Sequence, residues 1–175
     1  MCSSDLGIKS FRDVAVTLSI GERARSEYAA MRSAGADRFL LKHETADAKL
    51  YQQLHPGASL KTRVECLQNL KSLGFQVGSG FIVGLPGQDI STIAEDIALL
   101  KLLDCDMAGI GPFIPHPDTP LASYPAGDVT MTLKALAVAR QTLPYANFPV
   151  TTALSTLRQD GRQLALSCGG NVIMP

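Results

Sequence analysis

No sign of charge dominates this chain: 16 basic and 16 acidic residues cancel over 175 positions and are interspersed. It therefore offers no electrostatic footprint for nucleic acid or an anionic membrane, and no nucleic-acid or membrane partner is expected. Long apolar runs are missing too. The longest are interrupted by Gly and Pro and fall well short of the roughly 20 residues that span a bilayer. The opening Met1-Cys2-Ser3-Ser4-Asp5-Leu6 has neither a basic nor an apolar segment, so no secretory signal is read there and a cytoplasmic address is expected. Cysteine is scarce. Cys2, Cys66, Cys105 and Cys168 form no closely spaced pair, so the sequence carries no metal signature, and Cys66 and Cys105 read as small buried hydrophobes. A small-molecule substrate is the partner these absences leave.

What is present is apolar material enough for one core, 46% hydrophobic residues against 18% charged. Short β-rich runs at 13–19, 37–42, 76–84, 107–113, 149–153 and 171–174 alternate with helical patterns at 22–33, 60–73, 93–103 and 129–143, and a weaker one at 161–167. Leu60, Val64, Leu67 and Leu70 recur at helical spacing, as do Ile93, Ile97 and Leu100, so each of these helices has an apolar face to lay on a sheet. The alternation predicts an α/β fold with a parallel sheet.

Such a repeat builds either an open doubly wound sheet or a (β/α) barrel. Gly78-Ser79-Gly80-Phe81-Ile82-Val83-Gly84 has the wrong spacing for the nucleotide fingerprint of the open sheet, which favours the barrel. Barrel chemistry gathers at the C-terminal strand ends, and polar residues collect there. Thr17 and Ser19 end the first run, His43, Glu44 and Thr45 follow the second, and Thr151 and Thr152 lie on the fifth. Any one of them alone is equally well read as a helix cap or loop residue.

Three segments carry a resemblance: Lys42-His43-Glu44-Thr45-Ala46-Asp47, Gly84-Leu85-Pro86-Gly87-Gln88, and the proline-rich stretch from Gly109-Ile110-Gly111-Pro112 to His116-Pro117-Asp118-Thr119-Pro120. In order and spacing they resemble the HydE-type maturases of the biotin-synthase-like radical S-adenosylmethionine (SAM) enzymes, and the likeness runs on through Val150-Thr151-Thr152-Ala153 and Gly169-Gly170-Asn171 to Pro175. The resemblance implies a partial TIM-type barrel, strands 3 to 8 of a (β/α)8 barrel, over residues 7–175. Residues 1–6 are expected to be non-native, because one codon choice for Cys2 to Leu6 looks like a sequencing-adapter end. The implied cofactors are SAM and a 4Fe-4S cluster whose ligand cysteines lie in a part of the barrel that precedes this chain. No metal ligand is expected within it.

By the same resemblance Glu44, Arg63, Ser19, Met107, Pro112 and Ile114 face SAM, and Thr17, Thr151 and Thr152 face the substrate. SAM bears an ammonium, a sulfonium and a carboxylate, so its site wants a fixed anion and a fixed cation. Glu44 and Arg63 supply them, the guanidinium taking the carboxylate in bidentate fashion. The bland reading of both is a surface ion pair. Lys42 departs from the arginine expected at its position, and His116, between two prolines, reads as loop support rather than as a base. The implied activity is formation of a 5′-deoxyadenosyl radical that processes a small cysteine-derived iron precursor during FeFe-hydrogenase maturation, with other maturation proteins as partners. Methylornithine synthase is the related alternative, and a non-catalytic barrel remnant or split half the alternative of another class.

Overall fold

The structure, a computed structural model, describes residues 13–173 together with Lys9; residues 1–6, with Cys2 among them, and Met174 lie outside the described residues. Strands β1 (Thr17–Leu18), β2 (Arg38–Leu40), β3 (Gln76–Val83), β4 (Met107–Pro112), β5 (Pro149–Val150) and β6 (Val172–Ile173) follow one another in chain order. β1 to β4 form one parallel sheet and β5 pairs with β6, also in parallel. A parallel bridge from Met107 to Asn147 joins β4 to the residues leading into β5. Every strand thus lies beside its sequence neighbour. That order has no switch point of the doubly wound kind and is the winding of a barrel wall. Among the described residues the wall is not closed.

Among the described residues seven helices lie between or after the strands: α1 (Arg25–Ser33), α2 (Ala48–Leu54), α3 (Leu60–Ser72), α4 (Ile90–Leu102), α5 (Val129–Thr142), α6 (Thr152–Leu157) and α7 (Gly161–Ser167). Their starts are written in side chains. Asp47, Ser59, Asp89 and Asp128 each accept from a backbone N–H in the first turn of α2, α3, α4 and α5. The core is a single face of the wall. Phe39, Leu41, Val77, Phe81, Val83, Ala108 and Ile110 pack against Leu67 and Leu70 of α3, Ile97 and Leu100 of α4 and Leu136 of α5. Strand alternation then turns Leu40, Gly78, Gly80, Met107, Gly109 and Gly111 to the opposite, concave face.

Two corrections to the sequence reading concern helices. α2 and α6 are seven and six residues long, too short to show a period, and both were unforeseen. The strand expected at 149–153 ends at Val150; Thr151 is the cap residue of α6 and Thr152 its first residue. The β-branched threonines suggested a strand, but β-propensity is mainly a preference for a pleated, half-buried surface and yields to chain direction here. The strands β1 and β2 are also shorter than the runs at 13–19 and 37–42.

Candidate functional site

The floor of the concave face is built from glycine. Gly78 pairs with Met107, Gly80 with Gly109, and Ile82 with Gly111, so the middle of β3 and β4 presents mostly backbone. A methyl group on Gly78 would stand 2.7 Å from Met107 Cε and one on Gly111 2.9 Å from Thr151 Oγ1; neighbouring side chains already lean into the space glycine leaves. At Gly80 the constraint is backbone: φ is +156° and a Cβ would meet the Gly109 carbonyl oxygen at 2.0 Å. Lys42 lies across this floor, its Cε 3.4 Å from where a Gly109 Cβ would be.

Glu44 stands at the C-terminal end of β2 with φ +67°, one of two non-glycine residues in the left-handed region among those described. It is held there from both sides, since Glu44 N donates to Gly80 O and Ile82 N donates to Glu44 O, each at 3.0 Å. Such a conformation costs about 1–3 kcal/mol and survives where the surroundings over-determine it. Its Oε1/Oε2 carboxylate is 3.9 Å from Lys42 Nζ at the nearer oxygen, Oε2. That oxygen is buried and accepts no hydrogen bond among the described residues, and the same is true of Thr151 Oγ1 on the neighbouring wall. Each buried orphan costs about 1–3 kcal/mol in the ligand-free protein. Two of them at the rim of a glycine floor are acceptors without donors.

The expected residues are distributed unevenly over this geometry. Thr17 and Ser19, exposed, are placed by alternation on the concave side of β1, because Leu18 between them packs with the core. Met107 is on the same face at the start of β4. Pro112 is not: alternation puts it with Ala108 and Ile110 on the helix side, so it cannot wall one pocket with Met107. Ile114 lies beyond the strand and is 38% exposed. Thr152, at the start of α6, is exposed while Thr151 reaches the floor, so of the two threonines expected on the substrate side Thr151 is the one at the concavity.

Arg63 sits one turn into α3 and is not paired with Glu44. Its Nε donates to Tyr51 Oη at 2.9 Å and is 2.8 Å from Glu22 Oε1, which lies off the N–H axis and accepts no hydrogen bond among the described residues. The guanidinium is also 5.9 Å from the centre of the Tyr51 ring. With side-chain exposures of 18% and 29%, Arg63 and Glu22 are more than a solvated surface pair. The Nη groups make no hydrogen bond among the described residues, so the fork that would take a carboxylate is open.

His116 is 66% exposed and its Nδ1 accepts from Asp118 N at 3.2 Å, a loop support as expected. His43, expected among the polar residues at the strand mouths, lies instead behind the sheet, and sequence reasoning missed its partners Ser79 and Asp96. His43, Ser79 and Asp96 are each 0% exposed and hydrogen-bonded together, and burial pushes the Asp96 carboxyl above its ordinary value. Cys66 and Cys105 lie in the helix-packed core, and burial pushes the Cys105 thiol up to about 12, which keeps it a thiol rather than a metal-ligating thiolate. Among the described residues no group of His, Cys, Asp and Glu is placed to hold a metal ion.

A parallel wall wound as a barrel, with glycine-lined concavity and polar groups at its strand ends, is matched by the radical SAM superfamily over residues 8–100, more than half of the 175 residues. The chain belongs to that superfamily. It is 54% identical over 162 residues to the FeFe-hydrogenase maturase subunit HydE of Thermotoga maritima, covering 93% of this chain and 47% of that protein. It is 28% identical over 166 residues to 3-methylornithine synthase of Methanosarcina acetivorans, again covering 47% of the relative. The crystal structure of methylornithine synthase, PylB, superimposes with a TM-score of 0.86 at 26% identity over 97% of this chain and 49% of that one. The maturase HydG shares the fold with a TM-score of 0.77 at 18% identity over 91% of this chain and 37% of its own. The chain spans about half the length of the curated relatives it matches. No helix among the described residues is long and apolar enough to cross a membrane.

Proposed function

We propose that the complete protein to which this chain belongs is a radical SAM enzyme of HydE type, acting on a small cysteine-derived iron precursor in FeFe-hydrogenase maturation, with other maturation proteins as partners. The observation that carries the SAM site is the buried Glu44 Oε2 beside the Gly80 and Gly109 floor: an anion that accepts no hydrogen bond among the described residues and has Lys42 Nζ only at ion-pair distance, 3.9 Å. The 54% identity to HydE supports the type.

In this reading Glu44 takes the cationic end of SAM and displaces Lys42 as its partner. Arg63, fixed by Tyr51 and Glu22, offers its Nη fork to the SAM carboxylate. Ser19 and Met107 line the cofactor side of the concavity, while Thr17 and Thr151 face the substrate. Pro112, Ile114 and Thr152 contribute through the strand end and the α6 start rather than by contact from the floor. When bound and reductively cleaved, SAM supplies a 5′-deoxyadenosyl radical. The protein's share is to orient ligands and exclude water, which the apolar ring of Leu50, Leu85 and Phe113 near the strand ends favours. Among the described residues no group fits the 4Fe-4S cluster, and in this reading its ligands belong to the remainder of the protein.

Complementation tests the type. The full-length protein is expected to restore hydrogenase maturation in cells lacking HydE. No restoration together with formation of 3-methylornithine would transfer the assignment to the other relative, whose fold this chain also shares.

A further inference from the structure

Behind β2, on the side facing α4, His43, Ser79 and Asp96 form a line with 0% exposure at every member. Ser79 Oγ accepts from His43 N at 3.2 Å and lies 3.0 Å from His43 Nδ1, while His43 Nε2 lies 3.2 Å from Asp96 Oδ1. A carboxylate only accepts, so Nε2–H is assigned as the donor to Asp96, which leaves neutral Nδ1 to accept the Ser79 hydroxyl proton. Serine, histidine and carboxylate stand in the order of a hydrolase triad. Yet the whole line is sealed between sheet and helix, where no substrate can reach the hydroxyl.

The ends of the line show what it holds. Asp96 Oδ1 accepts also from Ala46 N at 2.5 Å, and Asp96 Oδ2 accepts from Gln88 Nε2 at 3.3 Å. One carboxylate thus grips the residue before Glu44 by its side chain and the residue two after Glu44 by its backbone. Between the grips Thr45 N donates to His43 O at 2.8 Å while Glu44 has φ +67°, the arrangement of a strained three-residue turn. Gln88 extends the clamp to the Gly84-Leu85-Pro86-Gly87 turn. Its Oε1 accepts from Gly84 N at 2.7 Å and its Nε2 donates to Ile82 O at 2.9 Å.

We propose that His43, Ser79 and Asp96 are positioning residues for the ligand site on the other face of the sheet: they hold the 43–46 turn closed, so that the Glu44 carboxylate is aimed into the concavity. A non-glycine residue left to itself abandons positive φ, and with it the direction of its side chain. Observed strain beside a candidate site is the starting point of this inference. The proposal rests on the reading of Glu44 as a SAM contact.

The test is a double-mutant cycle read by calorimetric titration of SAM into the full-length protein. Glu44→Gln is expected to weaken binding about 30-fold and Asp96→Asn about tenfold, and the double variant is expected to bind no more weakly than Glu44→Gln alone. Leu100→Ala, a cavity elsewhere on α4, is expected to lower the melting temperature and leave affinity within about twofold, which separates positioning from plain destabilisation. Should Asp96→Asn fail to fold, Ser79→Ala removes only the hydroxyl and is expected to weaken binding about threefold, again only where Glu44 is present. Parent-like affinity in the folded Asp96 or Ser79 variant, or losses that multiply in the double variant, would overturn the proposal. Parent-like affinity in Glu44→Gln would instead remove the SAM reading itself, a distinct outcome that takes the proposal with it.

Discussion

The two faces of the same parallel wall treat buried polar groups in opposite ways. On the helix side, the side chains of His43, Ser79 and Asp96 are fully buried and each has hydrogen-bond partners. On the concave side, Glu44 Oε2 and Thr151 Oγ1 are buried and have none among the described residues. Structure alone explains the first, because satisfied networks rigidify a core. The second leaves acceptors that a ligand's donors can satisfy, since Lys42 Nζ, at 3.9 Å, makes no hydrogen bond to Glu44 Oε2 and an unpaired buried acceptor destabilises the protein that carries it. The contrast marks one face as scaffold and the other as site.

Glycine substitutions probe that contrast most severely. Gly80→Ala is expected to cost at least about 3 kcal/mol in chemical denaturation, because its Cβ would meet the Gly109 carbonyl, and backbone cannot yield as a side chain can. Gly109→Ala meets the flexible Lys42 end at 3.4 Å and the Ser79 carbonyl oxygen at an ordinary 4.0 Å, and is expected to cost under about 1 kcal/mol. Equal costs would mean that the floor is not set by close backbone approach.

Hydroxyl removal gives a smaller effect of opposite sign on the two faces. Ser79→Ala leaves His43 short of a partner and is expected to destabilise by about 1–2 kcal/mol. Thr151→Val removes an orphan, and Thr151 makes no side-chain cap bond to α6, so stability is expected to be unchanged or to rise by up to about 1 kcal/mol while product formation falls. A Thr151→Val protein less stable than the parent would break the comparison.

The subtlest expected effect is the slope of stability with pH. Burial raises the Asp96 carboxyl above 3.8, so the folded chain holds that proton more tightly than the unfolded one; this contribution is full below 3.8 and lost as pH rises through the raised value. The hydrogen bond from Lys9, followed by that from Val16 N, lowers Asp37 below 3.8, so its contribution is present above 3.8 and lost as pH falls through the lowered value. Denaturation at a series of pH values is expected to show Asp96→Asn and Asp37→Asn flattening slopes of opposite sign. Slopes of the same sign would contradict the burial argument.

The βα order was legible because the helix faces are periodic: Leu67, Leu70, Ile97 and Leu100 are core residues where their spacing put them. Helices α2 and α6 were not, being too short for a period to register. Glu44 could be picked by residue type and strand-end position, but its pairing with Lys42 and that of Arg63 with Glu22 are tertiary facts. The largest miss was the His43 line, whose members are 36 and 53 positions apart and carry no local pattern. A usable signal did exist for the floor. Gly78-Ser79-Gly80 and Gly109-Ile110-Gly111 alternate glycine with a side chain, which on a strand empties one face and fills the other.

Titration of SAM into the full-length protein and its Glu44→Gln variant tests the central claim most directly. If Glu44 Oε2 is the anion that waits for the cofactor, the variant loses about 2 kcal/mol or more, at least about 30-fold in affinity, with its fold intact. Equal affinity within about twofold would contradict the account and leave Glu44 as the partner of Lys42 alone.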